Sequence, residues 1–272
     1  EAVRAQLKTA VREHQRLFGK SPFGIWLPEC AYYEGLDELM AESGLRYAVL
    51  DGHGLLNANP RPRYGLYAPI CTKSGVAFFG RDSESTLPVW SAKDGYPGNP
   101  NYREFHRDLG WDLSIENLRK IGLKEKRPLG IKLFKISSKS TSLENKQQYD
   151  PIAAQESVER DAEHYLKERK KQLTKLEESM SIKPLLIAPF DAELFGHWWF
   201  EGPQFLSQLF IKSKKEGIKF ITLKETLKSK SQIQLCNPSP SSWGQGGFHN
   251  YWLNESNAWI VHQWSKAGRE MV

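Results

Sequence analysis

The chain has 272 residues, 39% of them hydrophobic and 26% charged, with a formal net charge of +6. That balance excludes an intrinsically disordered chain, and no apolar run approaches the ~20 residues that a membrane-crossing helix needs. The length admits one large domain or two ordinary ones. In chain order, the opening stretch EAVRAQLKTAVREHQRLF sets Ala2, Leu7, Val11 and Leu17 among charged residues at helical spacing. Because this pattern begins at the first residue, a Glu and not a Met, the chain is expected to start inside a larger protein. Short apolar runs rich in β-formers follow at 23–27 (FGIWL), 46–51 (RYAVLD), 75–80 (GVAFFG), 130–136 (GIKLFKI), 184–190 (PLLIAPF) and 219–223 (KFITL), and each predicts a buried strand. Helical patterns lie between several of them, from Gly35 to Ser43, Asp150 to Ser181 and Phe200 to Glu216. Strand and helix in alternation predict a parallel sheet with helices outside it, open or closed into a barrel. After about Lys230 the texture changes to a Pro, Ser and Gly loop and then a Trp-rich helical tail. The expected division is therefore a barrel part over 1–230 and the start of a helical region over 231–272.

Nine basic residues against two acidic ones lie between Arg119 and Lys146, more than the excess of the whole chain. No Gly-aromatic box, zinc-finger spacing or helix-turn-helix pattern accompanies them, so this run is read as a solvated face with no nucleic-acid partner and no membrane partner. Cys30, Cys71 and Cys236 are odd in number, widely spaced and without CxxC pairing. That argues against a disulfide framework or a cysteine zinc site and for a reducing compartment, the cytoplasm.

In sheets fed by βα connections the chemistry gathers where a strand ends, so polar residues just after an apolar run are the candidates. Glu29 follows FGIWL, Asp51 and His53 follow RYAVL, and Asp191, Glu193 and His197 follow LLIAPF. Carboxylates at the ends of two such runs suit glycosidic-bond chemistry, in which one carboxylate attacks or stabilises the anomeric carbon while the other protonates the leaving oxygen. The same residues have plainer readings. Glu29 can be a helix N-terminal charge, Asp191 an N-cap, and His53 and His197 hydrogen-bonded core residues. Asp51, His53, Asp191 and His197 are hard ligands, but no HExxH-like spacing supports a metal. Trp198, Trp199 and Phe200 in a row read as core by composition, as do Trp259 and Trp264 in the helical tail. Trp243, in SSWGQGG, sits where glycines let a loop approach a ligand.

Six segments together carry a resemblance: WLPECAY (26–32), DGHGLL (51–56), PRPRYGLYAPI (60–70), VWSAKDGYPGNPNYREFHRDLGWDL (89–113), APFDAELFGHWWFEGPQFL (188–206) and SSWGQGGFHNYWLNESNAWI (241–260). They resemble the 1,4-α-glucan branching enzymes of glycoside hydrolase family 57, over nearly the whole chain and least in 114–183. The resemblance implies an α/β fold, an incomplete barrel of seven β/α units followed by a helical region, and a retaining mechanism without a cofactor or a metal. It implies that Glu29 in WLPEC is the nucleophile and Asp191 in PFDAELFGH the general acid/base. His53, Trp90, Trp111, His197, Trp243 and Trp252 fall in segments that line the family's glucan site. The implied partner is an α-glucan such as amylose, amylopectin or glycogen, and the sequence carries no signal for oligomeric state. The family's His-x-Pro motif and its first glutamate motif, which precede WLPEC, are not found here, so the chain is expected to match the middle and C-terminal side of such an enzyme. Alternatives are an α-glucan hydrolase or 4-α-glucanotransferase of the same family, a silent glucan-binding module, or a polyanion-binding protein using 119–146.

Overall fold

The computed structural model describes residues 1–229 and 233–271. In chain order its elements are α1 (Ala2–Phe18), β1 (Gly24–Trp26), α2 (Leu36–Glu42), β2 (Tyr47–Leu50), α3 (Gly52–Leu56), β3 (Ile70–Cys71), β4 (Ala77–Gly80), α4 (Ser83–Trp90), α5 (Leu109–Asp112), α6 (Ile115–Lys120), α7 (Pro151–Ser179), α8 (Gly202–Glu216), α9 (Leu223–Ser229), β5 (Gln234–Leu235) and α10 (Ala258–Glu270). They belong to two compact units that interleave along the chain. One holds Glu1–Ser83, Met180–Ala188 and Ile221–Val272, and the other Glu84–Ser179 and Pro189–Phe220.

The first unit is built on a five-stranded sheet ordered β1-β2-β4-β3-β5. β1, β2 and β4 run parallel in register, with Trp26 opposite Val49 and Val49 opposite Phe79. β3 turns back antiparallel to β4 and pairs parallel with β5. Ala48, Leu50 and Phe78 face a core with Met40, Leu45, Leu55 and Ile70, and Leu7 of α1 joins it. Val49, Ala77 and Phe79 alternate to the opposite face, where Ile187, Leu185, Leu223 and Leu227 cover them. Period-2 alternation thus buries both faces of the central strands, as parallel sheets require.

The second unit centres on α7 packed against α8. Val158, Ala162, Tyr165 and Leu166 from the long helix meet Phe205 and Leu209, with Tyr102, Leu194 and Trp199 completing the core.

The α/β expectation holds, and so do the strands expected at 23–27, 46–51 and 75–80, each two residues shorter than its apolar run. The other three expected strands do not form. Residues 130–136 make only isolated bridges, Lys135 to Arg103 and Phe134 to Gln148. Residues 184–190, held between Pro184 and Pro189, run extended with single bonds from Leu185 N–H to Tyr67 C=O and from Asp82 N–H to Ile187 C=O. Residues 219–223 lead directly into α9. These segments are less buried than their composition predicts: Ile187 is buried, but Ile131, Leu133, Phe220 and Ile221 are exposed, and without a neighbouring chain in register the segments form no ladder. Two short strands, β3 and β5, replace them, so the sheet is mixed and not all parallel. The basic run is likewise not simply a solvated face. Lys146 is buried, ion-paired to Glu104 at 3.2 Å, and donates to the carbonyls of Ile136 and Ser138.

Candidate functional site

The three parallel strands of the first unit deliver polar side chains at their carboxyl ends. β1 leads to Glu29, β2 to Asp51 and His53, and β4 to Arg81. Pro28–Cys30 form a single 3-10 turn in which Glu29 has φ 57 and Cys30 φ 50. Two consecutive non-glycine residues in the left-handed region are costly and persist only where surrounding contacts hold them. Those contacts come from the segment 241–252, more than two hundred residues on. Tyr32 and Ser241 exchange backbone hydrogen bonds at 2.9 and 3.1 Å, and the Trp243 N–H donates to Glu29 C=O at 2.9 Å. The Trp243 indole N–H then donates to Glu29 Oε2 at 2.6 Å. Trp243 therefore holds Glu29 by both backbone and carboxylate.

Around this pair the site is continuous. Trp26 meets Trp243 edge to face at 5.3 Å, and the Arg81 guanidinium lies 5.3 Å from the centroid of the same indole ring. Arg81 also pairs with Asp51 at 3.3 Å. Asp51 N-caps α3 by accepting from the Gly52 N–H, and its other near neighbour is His53 Nδ1 at 3.8 Å. His53 Nε2 contacts the carbonyl oxygen of Gly247. Gly247 has φ +77, and a Cβ there would lie 2.9 Å from His53 Nε2, so only glycine fits. Trp252 lies on Gly244, where a Cβ would come within 2.7 Å of its ring.

In the second unit Asp191 stands at the N-terminus of a 3-10 turn, Ala192–Leu194, with Leu194 N–H bonded to its carbonyl. Leu194 and Trp199 are buried and anchor the turn, while His197, Trp198 and Phe200 are exposed. Trp198 stacks on Phe105 at 4.5 Å and 30°, and His197 is edge-on to both rings. The Arg103 guanidinium is 3.4 Å from the Phe200 centroid and 4.5 Å from that of Tyr149. Behind it Glu201 is 2% exposed and accepts from the Arg103 N–H, and burial raises its carboxyl above the usual range. Trp111 is half exposed on α5, which Asp108 N-caps. Trp90 packs against the second core. The Trp-Trp-Phe run thus divides, with only Trp199 in the core. Trp259 and Trp264 are 68% and 66% exposed, so the expectation that they are core is corrected: α10 buries no residue. Among the described residues no group of three or more His, Cys, Asp or Glu is placed to hold a metal ion.

A family model described as Glycosyl hydrolase family 57 matches residues 1–236. The chain belongs to glycosyl hydrolase family 57. It is 34% identical to a 1,4-α-glucan branching enzyme of Thermococcus kodakarensis, over all of this chain and 42% of that protein. A probable 1,4-α-glucan branching enzyme of Mycobacterium tuberculosis is 30% identical over 94% of this chain and 44% of its own length. Among solved structures, the α-amylase AmyC of Thermotoga maritima superposes with a TM-score of 0.89 at 39% identity, covering 100% of this chain and 51% of that one. The family 57 branching enzyme of Pyrococcus horikoshii gives 0.80 at 32% identity, over 95% and 47%. The chain therefore spans about half the length of these family 57 relatives, and its fold is consistent with their incomplete barrel. Within this family 57 chain, sequence reasoning missed Arg81 and Phe105. Arg81 was within reach, because it directly follows an apolar run as Glu29 and Asp51 do. Phe105 sits in an irregular loop, where no periodicity marks a ring as stacked.

Proposed function

We propose that this chain carries the catalytic residues of an α-1,4-glucan branching enzyme acting by retaining double displacement. Glu29, ionised, attacks the anomeric carbon of an α-1,4-glucan. The C1–O4 bond breaks, and Asp191 gives its proton to the departing O4. Asp191 then takes the proton of an acceptor 6-hydroxyl as that oxygen displaces Glu29 from C1, leaving an α-1,6 branch. The observation that carries this reading is the double hold of Trp243 on Glu29 at the carboxyl edge of three parallel strands. A carboxylate fixed in backbone and side chain by an indole that itself lies against a guanidinium and a second indole suits attack on a sugar ring better than it suits a helix cap. His53, Trp252, Trp111, Trp90 and His197 are assigned to glucan contact on the family motifs. The 231–272 segment is assigned to the start of a helical region, and the three cysteines, none of them in a disulfide, suit a reducing compartment, the cytoplasm.

The test is Glu29→Ala supplied with azide and an activated α-maltosyl donor. A β-configured glycosyl azide is expected, and undiminished turnover without azide would remove Glu29 from the role. A second reading, hydrolysis, is favoured by the 39% identity and TM-score of 0.89 to an α-amylase. New α-1,6 linkages by NMR on amylose support branching, whereas reducing ends without branches support hydrolysis. Binding without product leaves only a glucan-binding role.

A further inference from the structure

Arg81 is the first residue past β4, and its side chain is only 14% exposed. A guanidinium that far out of water is expensive unless its donors are used. Here one nitrogen pairs with Asp51 Oδ2 at 3.3 Å, and Nε is buried without a hydrogen-bond partner. This weak pairing makes a purely structural role a poor account of the residue. Its other neighbour is the Trp243 ring, 5.3 Å from guanidinium carbon to centroid, within the ~6 Å over which a cation is held by an indole face. The same indole spends its N–H on Glu29 Oε2 at 2.6 Å and its backbone N–H on the Glu29 carbonyl. Asp51 is itself fixed by the Gly52 N–H. Asp51, Arg81, Trp243 and Glu29 thus form one line of contacts across the ends of β2, β4 and β1 and the 241–252 segment.

We propose that Arg81 is a positioning residue for the nucleophile: its cation, anchored by Asp51, holds the Trp243 indole in the orientation that aims the Glu29 carboxylate. A positive charge against the ring face also polarises the indole N–H, which strengthens its bond to a carboxylate. A planar, delocalised guanidinium suits an indole face better than an ammonium, but both carry the charge. This inference rests on Glu29 being the nucleophile.

The experiment compares Arg81→Met and Arg81→Lys with wild type on α-maltosyl fluoride, whose leaving group needs no proton and so reports attack by the nucleophile. Arg81→Met is expected to lose about 10- to 100-fold in kcat with KM changed less than threefold, and Arg81→Lys to keep the larger part of the rate. A double-mutant cycle then places the effect. In a Trp243→Phe background, which lacks the N–H, the Arg81 substitution is expected to cost nothing further. If Arg81→Met fails to fold, Arg81→Lys carries the cycle. Wild-type kcat in Arg81→Met, equal impairment of the Lys and Met variants, or additivity with Trp243→Phe each overturns the proposal. Glu29→Ala separates the two levels. If it retains turnover, the nucleophile assignment falls and Arg81 with it. If it is inactive while the Arg81 variants are unimpaired, only the Arg81 proposal falls.

Discussion

Glu29 and Asp191 both follow an apolar run, yet the protein holds them in different ways. Glu29 depends on chain more than two hundred residues away: the Ser241 exchange with Tyr32, the two Trp243 donors and the contact of His53 with Gly247. Asp191 sits on a turn closed within a few residues, by Leu194 to Asp191, Phe195 to Ala192 and Trp199 to Leu194, and pinned by the buried Leu194 and Trp199. A site held by distant contacts inherits its geometry from the tertiary fold and tolerates strained dihedrals. A site on a local turn inherits its geometry from adjacent sequence and needs only an anchor.

The largest expected effects break this comparison at its chemical ends. Glu29→Gln and Asp191→Asn are each expected to lower turnover on amylose by about 10³-fold or more, but they separate on α-maltosyl fluoride. There Asp191→Asn still forms the glycosyl-enzyme, seen as a burst of fluoride, and Glu29→Gln gives none. Next comes the local anchor. Trp199→Ala is expected to cost about 3 to 5 kcal/mol by thermal or denaturant unfolding, whereas Trp198→Ala, at a ring 51% exposed, stays within about 0.5 kcal/mol.

A smaller effect tests the loop that carries Trp111. Asp108 is 1% exposed; burial pushes its carboxyl up, but the Leu129 and Gly110 N–H groups and Lys132 outweigh that and leave it below the usual range. A lowered folded pKa means stability that is present above the ordinary carboxylate pKa and lost as pH falls through the folded one. Asp108→Ala is therefore expected to destabilise by about 1 to 3 kcal/mol at pH 7, and the gap to wild type should narrow on acidification in pH-dependent melting. Smallest is Gly247→Ala, expected to cost about 1 to 2 kcal/mol because its φ is positive and its Cβ meets His53. A larger drop in activity than in melting temperature would show that the distant stitching serves the Glu29 side.

Much of this was legible in the chain. Gly24–Trp26, Tyr47–Leu50 and Ala77–Gly80 are apolar, β-branched or aromatic runs bounded by turn residues, and Glu29, Asp51 and His53 stand just beyond them. The long helix was legible from its 3.6-residue period. GIKLFKI and KFITL misled because apolar composition says neither whether a segment is covered nor whether another chain lies in register beside it: Ile131, Leu133, Phe220 and Ile221 are exposed. Trp259 and Trp264 misled for the related reason that an amphipathic pattern does not say what covers its apolar face. Arg81 was legible by position but not by role, since nothing local to GVAFFGR reveals that an indole from residue 243 lies over it.

By itself, then, the sequence determined the central strands, the long helices, the family and the placement of carboxylates at strand ends, because these follow from short-range periodicity and from motifs contiguous in the chain. Only the tertiary structure decided that β3 pairs with β5, that Glu29 takes a left-handed backbone, and that Asp51, Arg81 and Trp243 line up towards it. Those features depend on hydrogen bonds and ring contacts between residues 30 to more than 200 positions apart, and no local pattern encodes such pairings.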